Sequence, residues 1–292
     1  GERVELDGKD WSNDLFTLET IDFVEKNKAH PFFIYLNYTN PHAELLVPED
    51  SLAEYRGKFP EKPFVNGQGD GPGAKGYRSQ PTPHAAYAAM VTRMDRDVGR
   101  ILDSLKAKGL DGNTLVFFTS DNGPHKEGGA DPDFFKSYGP LRGIKRDLTE
   151  GGIREPMIAR WPGKIAAGTT TDFACAHWDF MPTACELGGG KSPEGIDGIS
   201  IVPTLFGKEQ KPHDYLYWEF HERGFDQAIR MGDWKGVRIG LGEPLQLYNL
   251  KTDLHEDQNV ADQNPEIVAK LEAQLKAART DSDKWVPKKG KK

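Results

Sequence analysis

Three short apolar runs constrain this chain more than any other feature. Residues 32–36 (Phe-Phe-Ile-Tyr-Leu), 114–119 (Thr-Leu-Val-Phe-Phe-Thr) and 156–161 (Pro-Met-Ile-Ala-Arg-Trp) are each bounded by turn-forming residues. At five or six residues they are too short for core helices and read as buried strands. Helical patterns alternate with them. Leu15, Leu18, Ile21 and Val24 predict one apolar face on a helix from Ser12 to Lys28, capped by Ser12 or Asn13. Tyr87, Met90, Met94, Val98, Ile101 and Leu105 predict a longer one from His84 to Lys108, closed by Gly109. A short helix is expected from Asp179, as N-cap, to Leu187. Such alternation predicts an α/β sheet with helices on its faces.

The pattern changes after Gly207. Residues 215–220, 227–231 and 234–239 read as short strands, with Met231-Gly232-Asp233-Trp234 as a hairpin turn. Asn264 and Pro265 open a last helix whose buried face is Val268, Leu271 and Leu275. A boundary is therefore expected near residue 208, with residues 1–207 as a large α/β domain and 208–292 as a small α+β subdomain. Residues 57–83 form a long Gly- and Pro-rich loop, and the basic tail 287–292 is expected to fray. The formal net charge of −7 argues against non-specific nucleic-acid binding. No run of 18 apolar residues is present, so no membrane span is expected. Cys175 and Cys185 are expected to be two buried thiols, with a single disulfide as the alternative.

Several local matches fail on context. Gly190-Lys191-Ser192 lacks the first glycine of a phosphate loop, Cys185 standing in its place. Residues 71–76 spell G-x-G-x-x-G, but in a Pro-rich loop rather than between strand and helix. Asn37-Tyr38-Thr39 is a glycosylation sequon at a strand end and carries little weight. Three other features point to chemistry. Asp121-Asn122 closes the second apolar run, where ligand sites of open α/β sheets collect. A carboxylate beside an amide oxygen suits Ca²⁺ or Mg²⁺ rather than zinc, although Asp-Asn-Gly is also an ordinary turn. Arg142, Lys145, Arg146 and Arg154 gather between glycine-rich turns. They suit an oxyanion, or a solvated basic loop paired with Asp147, Glu150 and Glu155. His42 ends the first run as a candidate proton donor or acceptor. His125 and Glu127 follow Asp121-Asn122 closely enough to share a site, whereas His84, His213, His221 and His255 have no such company in sequence.

Together these segments resemble the sulfatase family, the formylglycine-dependent enzymes of the alkaline-phosphatase superfamily. The resemblance rests on residues 32–43, 119–123, 139–145, 150–156 (Glu-Gly-Gly-Ile-Arg-Glu-Pro), 177–183, 196–198, 205–207, 227–235 and 247–250, in that order along essentially the whole chain. It implies an alkaline-phosphatase-like α/β sandwich, incomplete at its N-terminus, with a small C-terminal α+β subdomain. It implies hydrolysis of a sulfate ester of a carbohydrate or aryl alcohol. Asp121 and Asn122 would bind one divalent cation, Ca²⁺ with Mg²⁺ as the alternative. His42 would contact the sulfate and assist departure of the alcohol. Lys145 would act on the substrate oxygens, and His125 and Arg142 would help bind the substrate. A metal and cations suit negative charge developing in the transition state.

The sequence departs from the family in two places. No C/S-x-P-S-R motif is present, Cys175 being followed by Ala-His-Trp and Cys185 by Glu-Leu-Gly, and no two Asp residues are neighbours. The expectation is that the chain is the C-terminal portion of a longer sulfatase and is inactive alone, with the formylglycine in an N-terminal segment absent here. A periplasmic or secreted location is implied by resemblance, and the oligomeric state is left open. Phe134, Phe135, Tyr138, Asp131 and Asp133 would suit a sugar ring. The alternatives are a phosphatase or phosphodiesterase of the same superfamily, and a non-catalytic homologue binding sulfated glycans.

Overall fold

The computed structural model describes residues 5, 10–71 and 74–288. The chain divides into two compact units. One comprises the residues up to Thr114 with His125–Lys136, the other Leu115–Pro124 with the residues from Ser137 onward.

In the first unit, α1 (Ser12–Asn27) and α2 (Glu49–Tyr55) pack on the long α3 (Pro83–Ala107), and α4 (Pro132–Phe135) is a single turn. Its core joins Leu45, Ala86, Met90 and Ala130, with Trp11 and Leu52 packed against them. Gly109 closes α3 with φ of 71°, as expected. The face α1 buries is not the expected one. Asn13, Thr17, Thr20 and Val24 point inward, while Leu18 is 50% exposed. The polar face is tolerated because its groups are satisfied. Thr17 Oγ1 donates to the Asn13 carbonyl and lies 2.7 Å from the Tyr38 hydroxyl, and Asn13 Oδ1 accepts from Thr39 N at 2.9 Å. The apolar face expected on α3 likewise includes charge. Arg93, buried, pairs with Asp14 and donates to Asp50 at 2.8 Å, and the fully buried Asp97 accepts from Arg100 at 2.9 Å. Burial alone would raise the Asp14 carboxyl, but Arg93 holds it below the usual range.

Residues 32–36 form no strand ladder among the described residues, contrary to expectation. Exposure alternates there, with Phe33 and Tyr35 outward at 66% and 79%. Alternation of side chains with a period of two is the strand signature the sequence shows. The long loop is pinned by Phe64 and Gln80, which exchange both backbone hydrogen bonds at 2.9 Å, while Gln80 Nε2 donates to the Leu45 carbonyl at 2.6 Å. Pro72 and Gly73 of the G-x-G-x-x-G match lie outside the described residues.

In the second unit, β1 (Val116–Thr119) pairs antiparallel with β2 (Met157–Arg160), Val116 opposite Arg160. Both were expected to be buried, yet they are half exposed, Ile158 by 62%. Between them lies α5 (Glu150–Ile153), and after them come α6 (Phe180–Leu187) and α7 (Val202–Leu205). The chain then forms an antiparallel meander, β3 (Leu216–Phe220), β4 (Asp226–Met231), β5 (Trp234–Arg238) and β6 (Gln246–Asn249), followed by α8 (Pro265–Ala278). Gly232, with φ of 61°, makes the expected β4–β5 turn. The sheet is covered on both faces. Ile229 and Leu247 pack with Leu271 and Leu275 of α8, and Ala228, Val237 and Tyr248 pack with Leu148 and Ile153.

None of the three expected polar caps forms: Trp11, not Ser12 or Asn13, stands at the N-cap of α1, with no side-chain cap bond. The Asp179 carboxylate instead accepts from Ala176 N and Ile199 N at 2.8 and 2.9 Å, and Asn264 Nδ2 donates to the Val260 carbonyl. Cys175 and Cys185 are free thiols, half-buried rather than fully buried. Of the tail expected to fray, Lys289, Gly290, Lys291 and Lys292 lie outside the described residues. Leu271→Ala is expected to cost about 3 kcal/mol in urea unfolding, because Leu271 fills the α8–sheet core. Leu18→Ala should stay within about 0.5 kcal/mol.

Candidate functional site

In the second unit the site is built on glycine contacts. β1 delivers Asp121, exposed, and Asn122, half-buried. Asn122 Nδ2 donates to the Gly123 carbonyl at 3.0 Å, which leaves its Oδ1 as the oxygen for a ligand. Gly123 N donates to the Gly152 carbonyl at 3.1 Å, Gly151 N to the Arg142 carbonyl at 2.7 Å, and Lys145 N to the Pro124 carbonyl at 2.9 Å. A Cβ at Gly123, Gly151 or Gly152 would collide with the backbone of Gly151, Arg142 or Asp147. Three turns, 121–124, 142–147 and 150–153, are thus held at a distance only glycine permits.

The expected cation cluster is largely engaged in bracing this scaffold. The Arg142 guanidinium lies 5.3 Å over the Tyr248 ring, although its Nε is buried with no partner. Arg146 holds φ of 79° and donates to Glu222 at 2.7 Å. Arg154 lies 3.4 Å from Glu150. Glu150 itself meets Lys235, which is fully buried, at 2.7 Å, and Lys235 lies 3.0 Å from the fully buried Glu256. Burial pushes the Glu150 carboxyl up, but Lys235 pulls it below its usual range. For Glu256 burial wins and its carboxyl is raised.

The sequence offers Glu155 only as a partner of the basic loop, not as an oxygen donor beside Asp121. The Glu155 carboxyl is pushed up to about 7 by burial and by the charge of Asp121, and Oε1 is buried with no partner. Asp121, Asn122 and Glu155 therefore offer hard oxygens with spare negative charge, which fits a divalent cation of the Ca²⁺ or Mg²⁺ type. They do not complete a coordination sphere. Among the described residues no three His, Cys, Asp or Glu side chains cluster as a metal site.

In the first unit, His42 and His125 stack with ring centroids 4.8 Å apart. His42 Nδ1 lies 2.7 Å from the Ala43 carbonyl, to which it donates as Nδ1–H. His125 Nε2 lies 3.0 Å from the Pro41 carbonyl, and its Nδ1 3.0 Å from Glu127 Oε2. His42 lines a cleft of about 230 Å³ with Trp11, Asn13, Thr39 and Glu44. A larger cleft of about 500 Å³ in the second unit, along Pro182, Glu186 and Ile196, touches none of the expected site residues.

His84, His213, His221 and His255, which have no company at Asp121-Asn122 in sequence, each meet an acidic side chain elsewhere. His213 Nε2 lies 2.9 Å from Asp179, His221 lies 2.9 Å from Glu219, and His255 lies 2.8 Å from Asp257. His84 stacks on Phe134 at 3.9 Å, with Asp131 at 3.5 Å, so one face of the Phe134 ring is covered. Asp131 also caps α4, accepting from Phe134 N at 2.9 Å. The His213–Asp179 and His84–Asp131 contacts join residues far apart in sequence, which spacing does not reveal.

The sulfatase family pattern matches residues 3–190, and the pattern for the C-terminal part of N-sulphoglucosamine sulphohydrolase matches residues 144–281. The chain belongs to the sulfatase family. It is 34% identical to steryl-sulfatase of Homo sapiens over 206 residues, covering 69% of this chain and 31% of that one. It is 30% identical to N-acetylgalactosamine-6-sulfatase of Mus musculus over 257 residues, covering 85% and 42%. The chain thus spans less than half the length of these two relatives. The crystal structure of Ps i-CgsB superimposes with a TM-score of 0.77 at 28% identity, covering 95% of this chain and 56% of that one. The same protein in complex with k-i-k-neocarrahexaose gives 0.76. The fold is that of the sulfatases, the alkaline-phosphatase-like arrangement with a small C-terminal region.

Gly152→Ala is expected to cost at least about 2 kcal/mol, read as a lowered unfolding midpoint, because the added methyl meets backbone that cannot retreat. Glu155 gives a pH signature. The folded state holds its proton more tightly than the unfolded state does. Stability is therefore full below the ordinary carboxylate value, 4.5, and lost as pH rises through about 7. In metal-free buffer the melting temperature should fall between about pH 5 and about pH 8, and Glu155→Gln should flatten that fall.

Proposed function

We propose that the protein is a sulfuric ester hydrolase, cleaving a sulfate ester with a divalent cation held in part by Asp121 and Asn122. One observation carries the reading. Gly123, Gly151 and Gly152 lock the turn bearing Asp121-Asn122 to the turn bearing Lys145, so the backbones that carry hard oxygen donors and a lysine are fixed on one scaffold. Lys145 draws the negative charge that builds on the sulfate oxygens, a role suited to a point charge with three donors. When bound, Ca²⁺, with Mg²⁺ as the alternative, supplies Lewis-acid stabilisation of the same charge. Asp121 and Asn122 supply oxygens to it, and the orphaned Glu155 Oε1 is a further donor. His42, with Nδ1–H committed to the Ala43 carbonyl, presents Nε2, whose N–H gives its proton to the leaving oxygen as the ester bond breaks, so that the group departs as the alcohol. His125, its ring nitrogens near Pro41 and Glu127, fixes the His42 ring by stacking. Arg142 braces the Lys145 turn from Tyr248 and is the second cation proposed to bind the substrate.

Neither Cys175 nor Cys185 stands in a C/S-x-P-S-R setting, so neither is assigned the role of a formylglycine nucleophile. A sulfated carbohydrate is the proposed substrate class. It is supported by the N-acetylgalactosamine-6-sulfatase relative and by the neocarrahexaose complex of Ps i-CgsB. A periplasmic or secreted location and the division into residues 1–207 and 208–292 belong to the same proposal. No helix is long and apolar enough to cross a membrane among the described residues.

The test pairs calorimetry with kinetics on the full-length gene product. Asp121→Ala should weaken Ca²⁺ affinity by at least about tenfold. Lys145→Ala should leave Ca²⁺ affinity intact and cut turnover of an aryl sulfate by about a hundredfold or more. Normal turnover in both Lys145→Ala and His42→Ala would contradict the assignment.

A further inference from the structure

We infer that Lys235 and Glu256 are positioning residues for the sulfate- and cation-gripping turns, acting through Glu150. The inference rests on the assignment of Lys145 and Asp121-Asn122 in the preceding subsection.

α5 joins the sheet to the site turns. Four residues are too few for a helix to hold itself, so its orientation has to come from outside contacts. Two such contacts converge on Glu150. Its backbone N–H, left without an intrahelical partner at the helix start, donates to Glu256 Oε2 at 2.6 Å. Its side-chain Oε1 accepts from Lys235 Nζ at 2.7 Å. Lys235 comes from β5 and lies opposite Tyr248 in the β5–β6 ladder and Arg230 in the β4–β5 ladder. It therefore shares the sheet face of Ala228, Val237 and Tyr248, which packs on Leu148 and Ile153 to either side of Glu150. The ion pair fixes α5 relative to the sheet.

What α5 then holds is the site. Gly151 N grips the Arg142 carbonyl and the Gly152 carbonyl grips Gly123 N. The turns those bonds fix are closed by Lys145 N on the Pro124 carbonyl. The route from Lys235 to Asp121-Asn122 and Lys145 is thus one ion pair, one turn of helix and three backbone hydrogen bonds. Close glycine packing leaves each step little slack.

The test is amide hydrogen exchange on the 292-residue chain with the double variant Lys235→Met/Glu150→Gln. Removing Lys235 alone would strand two buried carboxylates, so the pair is neutralised together. Exchange at the Gly123, Lys145 and Gly151 amides should accelerate by at least about tenfold, while Ala228 and Val237 in the sheet keep native protection. Glu150→Gln alone, which leaves Lys235 paired with Glu256, should move the same three amides in the same direction by a smaller factor. In parallel, inorganic sulfate titrated onto the chain at low temperature should bind about tenfold more weakly to the double variant.

Unchanged protection at the three amides in both variants overturns the proposal. So does a uniform loss of protection that includes the sheet, because that marks a merely structural pair. A native chain that takes up no sulfate, and behaves identically as Lys145→Ala, contradicts the functional assignment instead. The exchange result then still decides whether Lys235 and Glu256 position the turns.

Discussion

The Lys235 ammonium lies where water does not reach, and the second unit is organised around meeting its charge. Burying an unpaired ammonium costs several kcal/mol, roughly, and removing one partner from a buried pair costs on the order of 3–5 kcal/mol. Glu150 and Glu256 answer that demand from a short helical turn and from a loop that follows β6. The contact sets geometry more than it adds stability, since a well-packed apolar group of similar volume is often as stable. A four-residue helix, two glycine-rich turns and a four-stranded sheet are thereby given one mutual arrangement.

That arrangement explains why glycine recurs at Gly123, Gly151 and Gly152. Each backbone passes so close to another carbonyl that a methyl group has no room. Close approach brings the Asp121-Asn122 turn against the Lys145 turn without intervening side chains, and it excludes the slack that would blur their geometry. The basic cluster then separates into parts with different work. Arg146 and Arg154 reach acidic partners, Arg142 stacks on Tyr248, and Lys145 stands on the turn that glycine fixes. The Glu155 carboxyl is raised first by burial and then by the charge of Asp121 beside it.

Much of the fold was legible because periodicity reports local geometry. α3, the β4–β5 hairpin with Gly232, and the buried Leu271 and Leu275 of α8 all stand where apolar spacing and turn chemistry place them. α1 was legible as a helix but not in its orientation. Its inward face is chosen by hydroxyl and amide partners such as Tyr38 and Thr39, which no apolar pattern encodes. Residues 32–36 kept the strand period, but the ladder expected of them is not formed among the described residues. Within the site, Asp121, Asn122 and Lys145 were visible as motif residues. Lys235 was visible only as a letter beside a hairpin, because its partners Glu150 and Glu256 are remote in sequence. Glu155 was hidden for another reason: its significance lies in burial beside Asp121, and burial is a property of the fold.

The central claim is that this scaffold serves sulfate-ester hydrolysis. The most direct measurement compares turnover of 4-nitrophenyl sulfate with that of 4-nitrophenyl phosphate by the full-length gene product, in the presence and absence of Ca²⁺. The account requires the sulfate ester to be the faster substrate and its turnover to depend on the cation. Faster hydrolysis of the phosphate, or no turnover of either ester together with salt-sensitive binding of sulfated glycans, would contradict it.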